Sequence, residues 1–200
     1  MEFLTNTVGQ IASPISPIAI YGVVALLIII ENGLIFGFFF PGDSLILAAG
    51  IFAGVYFDVD IRVIVIIATT SSFLGSEIGY FIGSKFGGTL EGKQNSPSIQ
   101  NSIKKSQRYY EQSSGMSVLI SNFIPGLRIF IAIIAGSRKM NRFNFIISNL
   151  FGSFIWATTI SLVGYKLAEI DWVHDNAFIV LAALFLISSG ASIVNFFRAL

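Results

Sequence analysis

Arg128 stands three residues after Pro125, inside an apolar stretch that carries no other charge, and two acids, Glu31 and Asp43, flank a second Pro-Gly pair at Pro41-Gly42. A guanidinium placed centrally in hydrocarbon costs on the order of 2.5–3.5 kcal/mol on insertion scales, so Arg128 needs a partner or water. Its planar fork can grip a lipid phosphate bidentately, or it can form a structural ion pair with an acid of the first stretch. A carboxyl in a low-dielectric cleft holds a proton more readily, and a nearby cation opposes that. Glu31, Asp43 and Glu77 are therefore candidate proton-coupling residues. The plain alternatives are an interfacial carboxylate for Glu31 and a helix N-cap for Asp43. Asn122 either donates a hydrogen bond to a headgroup or packs against a neighbour. Gly42 and Gly126 interrupt their stretches together with Pro41 and Pro125, and half-helix N–H groups freed there suit an anion. A purely structural break is the alternative. The single histidine, His174, lies in a loop with Asp171 and Asp175, and the chain has no cysteine. No catalytic set, metal site or cofactor is expected, and the chain does not read as an enzyme.

These residues must be held by elements suited to lipid. In 200 residues, 12 Lys+Arg, 11 Asp+Glu and one His give a net charge of +1. Charged residues are 12% of the chain, about half the usual share of a soluble domain, and hydrophobic residues are 54%. With twenty Phe and a mean hydropathy of +0.79, disorder, a basic nucleic-acid face and an ordinary cytosolic domain are excluded. Apolar runs cover 14–30, 33–57, 61–83, 116–136, 143–165 and 176–197. The first lacks a positive flank and a cleavage pattern, so it reads as a retained transmembrane helix rather than a signal. The polar stretch 84–115 opens on Gly87-Gly88 and holds a turn at Gln94-Asn95-Ser96-Pro97. Its second half, 98–111, spaces Ile99, Ile103 and Tyr110 as an amphipathic surface helix or a solvated connector. Trp156, Trp172 and the tyrosines read as packing or interfacial anchors.

Runs 33–57 and 116–136 are the two broken by Pro-Gly. Each is a kinked span or a re-entrant hairpin, and charge decides between these. If both are hairpins, Lys85, Lys93, Lys104, Lys105, Arg108, Arg138, Lys139 and Arg142 share one side, eight basic residues against Arg62 and Lys166 on the other. The positive-inside rule then puts both termini in the cytoplasm. The chain also repeats itself. Pro41-Gly42 precedes Ala49-Gly50 and Gly79-Tyr80, as Pro125-Gly126 precedes Ala135-Gly136 and Gly164-Tyr165. From Gly42 to Gly79 is 37 residues, and from Gly126 to Gly164 is 38. The expected fold is an all-α integral membrane protein of about four transmembrane helices plus two re-entrant helical hairpins in an inverted repeat. It forms one domain over 1–200, with a core at about 20–165 and a C-terminal span at about 176–197. Inverted repeats with broken helices are a layout of secondary transporters.

The motifs carrying these features resemble the DedA family, bacterial members of the VTT/SNARE-associated Golgi protein superfamily. Glu31-Asn32-Gly33, Phe40-Pro41-Gly42-Asp43-Ser44 and Ala48-Ala49-Gly50 are similar to its first signature. Gly75-Ser76-Glu77-Ile78-Gly79-Tyr80, with Gly83 and Gly87, is similar to the second. Tyr110, Gly115, Phe123-Ile124-Pro125-Gly126-Leu127-Arg128, Ala135-Gly136, Met140, Phe143, Asn149, Gly152 and Trp156 are similar to the third. Two positions depart: Asn122 stands where the family usually has arginine, and Glu77 where it has Asp or Asn. The first change removes a cation from the second hairpin, so a two-arginine mechanism does not carry over whole. The resemblance implies a polytopic transporter of the cell membrane. It implies a lipid flippase driven by the proton-motive force, acting on undecaprenyl phosphate or phospholipid. The expected partners are membrane lipids with anionic or zwitterionic headgroups and protons as coupling ion, with no nucleic acid and homo-oligomerisation left open. A non-transporting scaffold or assembly factor is the alternative.

Overall fold

The computed structural model describes residues 17–33, 42–55, 59–93, 107, 114–124, 127–177, 179–180, 182–184 and 186. All regular structure among them is helical: α1 (Pro17–Gly33), α2 (Gly42–Val55), α3 (Ile61–Lys93), α4 (Ser114–Ser121), α5 (Leu127–Ser137), α6 (Arg142–Leu167) and the short α7 (Asp171–Asp175). Among the described residues, two segments, Ile61–Phe86 and Arg142–Leu167, are long and apolar enough to cross a membrane. Both wear their apolar residues outward. Ile66, Leu74, Phe81, Phe86, Leu150, Phe151, Phe154 and Val163 are exposed, whereas Ser72, Ser76, Asn149, Ser153 and Ser161 are buried. A water-soluble helix does the reverse. This distribution is that of helices solvated by hydrocarbon, where polar groups turn to the bundle interior.

α3 and α6 run antiparallel, since Ser72 meets Ser153 while Glu77 meets Arg142 nearer the start of α6. One end of the pair carries Lys85, Arg138, Lys139 and Arg142, and the other Asp60, Glu169, Asp171 and Asp175 against Arg62 and Lys166. The first is the basic end of the molecule and the second its acidic end. Both α1 and α2 lie along the acidic half. The Asp60 N–H donates to the Tyr21 hydroxyl at 3.1 Å, and Gly33 reaches only as far as Gly75. α2 then returns beside α6, with Gly50 at Ser161 and Gly54 at Ala168. α4 and α5 lie along the basic half. Gly115 meets Ser148 and Asn122 meets Gly152, after which α5 returns beside α3 with Ala132 at Gly79 and Ile133 at Gly83. In each half the first arm packs on its own long helix and the second arm on the other half's long helix. That exchange of partners repeats the sequence correspondence in three dimensions.

The second arms cross the long helices at glycines. A Cβ on Gly136 would strike the Tyr80 carbonyl and lie 2.8 Å from the Ser84 nitrogen, and one on Gly164 would strike the Leu47 carbonyl. Backbone cannot yield as a side-chain tip can, so Gly136→Ala and Gly164→Ala should each cost about 1–3 kcal/mol of overpacking. Gly22→Ala, where nothing lies within 4 Å, is the control. Thermal midpoints of the detergent-solubilised variants check this: Gly22→Ala should match wild type, and the other two should fall.

The turn between α5 and α6 places Lys139 at φ 53°, a left-handed position that usually takes glycine. Asn141 then caps α6, accepting from the N–H groups of Phe143 and Asn144 at 3.0 and 3.2 Å. At the acidic end Asp60 opens α3 by accepting from the Arg62 N–H at 2.8 Å. The Arg62 guanidinium and that N–H together hold the Asp60 carboxyl below the usual carboxylate range.

Two expectations need correction. The helix of run 61–83 does not give way to loop where the polar stretch begins at 84 but continues through Gly87-Gly88 to Lys93. Glycine weakens a helix by only about 1 kcal/mol relative to alanine, and the first true breaker is Pro97. The segment around His174 is not a plain loop: Asp171–Asp175 form a helical turn that buries Val173. Of the two readings of Trp156, packing or interfacial anchor, packing holds, the side chain being 2% exposed. The amphipathic segment 98–111 lies outside the described residues except for residue 107, and the run 176–197 is described only in part.

Candidate functional site: a buried ion triad

Arg128 is the second residue of α5, and Asp43 the second of α2. Glu31 lies in the last turn of α1. The three come together from 97 and 85 residues apart in sequence. One guanidinium nitrogen of Arg128 pairs with Glu31 Oε1, and the other with Asp43 Oδ1 at 3.2 Å. The Trp156 ring of α6 covers the guanidinium, 4.8 Å from its carbon. Side-chain exposure is 2% for Arg128 and 8% for Glu31, against 36% for Asp43. So Asp43 is the member of the triad that can meet a ligand or water.

Two carboxylates face one guanidinium. With all three ionised the site carries one negative charge in excess, in surroundings where unpaired charge is expensive. Glu31 Oε2 is buried and has no hydrogen-bond partner. The cluster thus has an unfilled acceptor and a charge imbalance that one proton or one cation would correct.

The interfacial reading of Glu31 is set aside by its burial, and Asp43 turns its carboxylate to Arg128 from the first turn of its helix. Asn122 is buried with its amide turned to its own helix, donating to the Val118 carbonyl at 3.2 Å and the Leu119 carbonyl at 3.4 Å. Its oxygen accepts from the Ser153 hydroxyl at 3.5 Å. Asn32 is its counterpart in the first half. It is also buried, donates to Ile28 four residues back at 2.9 Å, and is pressed against a glycine of its own long helix, Gly75, as Asn122 is against Gly152. Glu77 pairs instead with Arg142 and accepts from Asn149 at 3.3 Å. Gly42 is the first residue of α2. Pro41, Pro125 and Gly126 lie outside the described residues.

Sequence reasoning misses Trp156 as the cover of Arg128, and misses Asn149, Ser153 and Ser72. The spacing of Asn149, Ser153 and Trp156 places them on one face of α6. That shared face is the available signal.

A family model for the VTT domain matches residues 40–166, which hold both long helices, Asp43, Arg128 and Trp156. The chain belongs to the VTT-domain family of DedA-like membrane proteins. Protein DedA of Escherichia coli strain K12 is 27% identical over 90% of this chain and 83% of its own length. An uncharacterised membrane protein of Mycobacterium tuberculosis strain H37Rv is 27% identical over 86% and 76%. An alkaline phosphatase-like protein of Lactococcus lactis is 30% identical over 74% and 71%. No solved structure matches the chain. Membership of the family and the outward-facing apolar residues of α3 and α6 agree on a membrane location.

Proposed function

We propose that this protein is a membrane transporter, a lipid flippase that moves a phosphate-bearing headgroup, of the undecaprenyl phosphate or phospholipid class, at the expense of the proton-motive force. It is not an enzyme in this reading. Arg128 anchors the phosphate, and Glu31 and Asp43 carry the proton. The observation behind this is the triad itself, a three-charge cluster with Arg128 and Glu31 buried, at the point where the two halves of the repeat meet. A plain membrane helix bundle has no need of one, and intramembrane charges of this kind mark substrate and proton paths.

The proposed coupling follows from the charge count. A phosphate that takes one face of the guanidinium must displace a carboxylate. The displaced carboxylate, in low dielectric, takes a proton, so headgroup and proton bind together. The proposed topology has α1–α2 entering the membrane from the acidic, outer side and α4–α5 from the basic, cytoplasmic side as re-entrant hairpins. About four helices span and both termini are cytoplasmic. The partner exchange between arms and the separation of basic from acidic ends support that arrangement.

One observation favours a second reading. Both outer faces of the Arg128 guanidinium are already occupied by carboxylates, as in a brace that holds two hairpins together in a scaffold or assembly factor.

Reconstitution tests the first reading. In liposomes holding a panel of labelled lipids, wild type should move at least one phosphate-bearing lipid between leaflets, faster with a pH gradient than without. Glu31→Gln or Asp43→Asn should insert but lose the gradient dependence, because Gln and Asn keep shape and hydrogen bonding without a titratable proton. Failure of the wild-type protein to move any lipid rejects transport. Wild-type gradient dependence in both variants rejects these carboxylates as the proton site.

A further inference from the structure

At the basic end the two long helices finish among four cations. Lys85 stands in the last turn of the apolar part of α3, Ile61–Phe86, and Arg142 is the first residue of α6. Arg138 and Lys139 belong to the turn that joins α5 to α6. Three contacts fix these pieces to one another. Gly136 lies against the Tyr80 carbonyl and the Ser84 nitrogen, one residue before Lys85 and two before Arg138. The Tyr80 hydroxyl donates to the Met140 carbonyl at 2.7 Å. The Arg142 guanidinium rests 4.7 Å from the centre of the Tyr80 ring. Lys85, Arg138, Lys139 and Arg142 are all exposed on this junction.

The two ends of the molecule differ in how their cations are neutralised. At the acidic end Arg62 pairs with Asp60 at 2.9 Å and Lys166 with Glu169 at 2.6 Å. At the basic end Arg142 pairs with Glu77, and its side chain stays 52% exposed. Among the described residues, Lys85, Arg138 and Lys139 have no acid partner. The Lys85 ammonium instead lies over the Phe81 ring at 4.4 Å. The positive-inside rule accounts for the sign of this end. It does not account for three unpaired cations on one fixed junction, where like charges repel and an anion from outside the chain relieves them. Phe81, Phe86 and Phe143, each within a turn of one of these cations, are exposed as well.

We infer that this junction is a binding site for an anionic glycerophospholipid of the leaflet at the basic end, its phosphate among Lys85, Arg138, Lys139 and the exposed edge of Arg142, its acyl chains over Phe81, Phe86 and Phe143. Guanidinium forks suit a phosphate bidentately. The site selects net negative charge, because a zwitterionic headgroup carries its own cation toward three that are unneutralised. Side chains do the holding: the first N–H groups of α6, those of Phe143 and Asn144, are already given to Asn141. The site is separate from the triad, since Arg138 lies ten residues from Arg128, about 15 Å along α5. Its lipid is a resident ligand that ties the end of α3 to the α5–α6 turn, not cargo, so the inference goes beyond the transport reading and does not rest on it.

The test uses the full chain in detergent, mixed with dioleoylphosphatidylglycerol or dioleoylphosphatidylcholine. Bound lipid is read by native mass spectrometry and stability by the thermal midpoint. Wild type should hold the phosphatidylglycerol at least tenfold more tightly, and that lipid should raise the midpoint, as any ligand of the folded state does. The triple variant Lys85→Gln, Arg138→Gln, Lys139→Gln removes exposed side chains that have no acid partner, so its midpoint in phosphatidylcholine should match wild type. Its affinity for phosphatidylglycerol should fall more than tenfold, at about fivefold per cation near an anionic surface. The double variant Arg62→Gln, Lys166→Gln should bind as wild type does. Wild-type affinity in the triple variant would overturn the site, and an equal fall in the double variant would reduce it to a general effect of charge. Inorganic phosphate that reproduces the full midpoint shift at the same concentration would show a free-anion site and reject the lipid. If the triple variant does not fold, the three single variants carry the test: each should lose about fivefold, and unchanged affinity in all three rejects the site.

Discussion

Arg128→Ala is expected to remove most of the folded protein from the membrane, and not only its activity. The substitution leaves Glu31 and Asp43 facing each other without the cation both now share. Taking one partner out of a buried ion pair costs about 3–5 kcal/mol, a large part of the stability of a chain this size. The penalty comes from the stranded carboxylates, so it should be relieved by removing them. Arg128→Met combined with Glu31→Gln and Asp43→Asn should recover the level and thermal midpoint of the detergent-extracted protein while leaving it without lipid movement. Arg128→Lys is the intermediate case. An ammonium keeps the charge but lacks the planar fork, so it can serve one carboxylate well and not two. The expected order of stability is wild type, Lys, then Ala, with the neutral triple variant above Ala. An Arg128→Ala protein at wild-type level with an unchanged midpoint would mean that the carboxylates are solvated, contrary to the burial of Glu31. Loss of Arg128→Ala protein alone does not separate anchor from brace, because the same residue neutralises both acids.

Much of this site is legible in the amino-acid sequence, and the reason is cost. A lone arginine inside an apolar run and two acids beside Pro-Gly pairs must be answered by something, and each is the nearest available answer to the other. The repeat is legible because Pro-Gly, Ala-Gly and Gly-Tyr recur at matching intervals, and the structure uses two of those sites, Gly136 and Gly164, for the closest helix crossings. The seam between α3 and α6 is not legible. Serine and asparagine occur in membrane helices for many reasons, and nothing local ties Ser72 to Ser153 across 81 residues. The role of Trp156 over Arg128 is not legible for a related reason. Tryptophan favours membrane interfaces, and only the arrival of Arg128 from α5 turns this one into the lid of a charge cluster. The continuation of α3 to Lys93 escapes notice because the polar stretch from 84, with its Gly87-Gly88 pair, reads as loop, whereas a helix already propagating loses little at each glycine.

Exchanging the charges of Arg128 and Asp43 should separate the two readings of the triad. Both residues stand second in their helices, one in each half of the repeat, so the swap moves the cation from α5 to α2 while keeping the pair. If Arg128 is only a brace, Arg128→Asp with Asp43→Arg restores protein level and cellular function together, since one arginine still faces two acids. If it holds a phosphate, the swap restores folding but not lipid movement. The guanidinium would then project from α2, and the Trp156 ring that now covers it would meet a carboxylate. Trp156 makes the outcome asymmetric. A cation over an indole face is favourable by about 0.5–2 kcal/mol, and an anion there is not. The swapped protein should therefore be less stable than wild type even under the brace reading, yet far more stable than either single substitution, each of which changes the charge of the site by two units in one direction. The phosphate reading is the one we expect to survive: level recovered to within a few-fold of wild type, with lipid movement at the background of protein-free liposomes. Full movement by the swapped protein would show that the position of the cation does not matter, and that the triad holds the hairpins rather than the lipid.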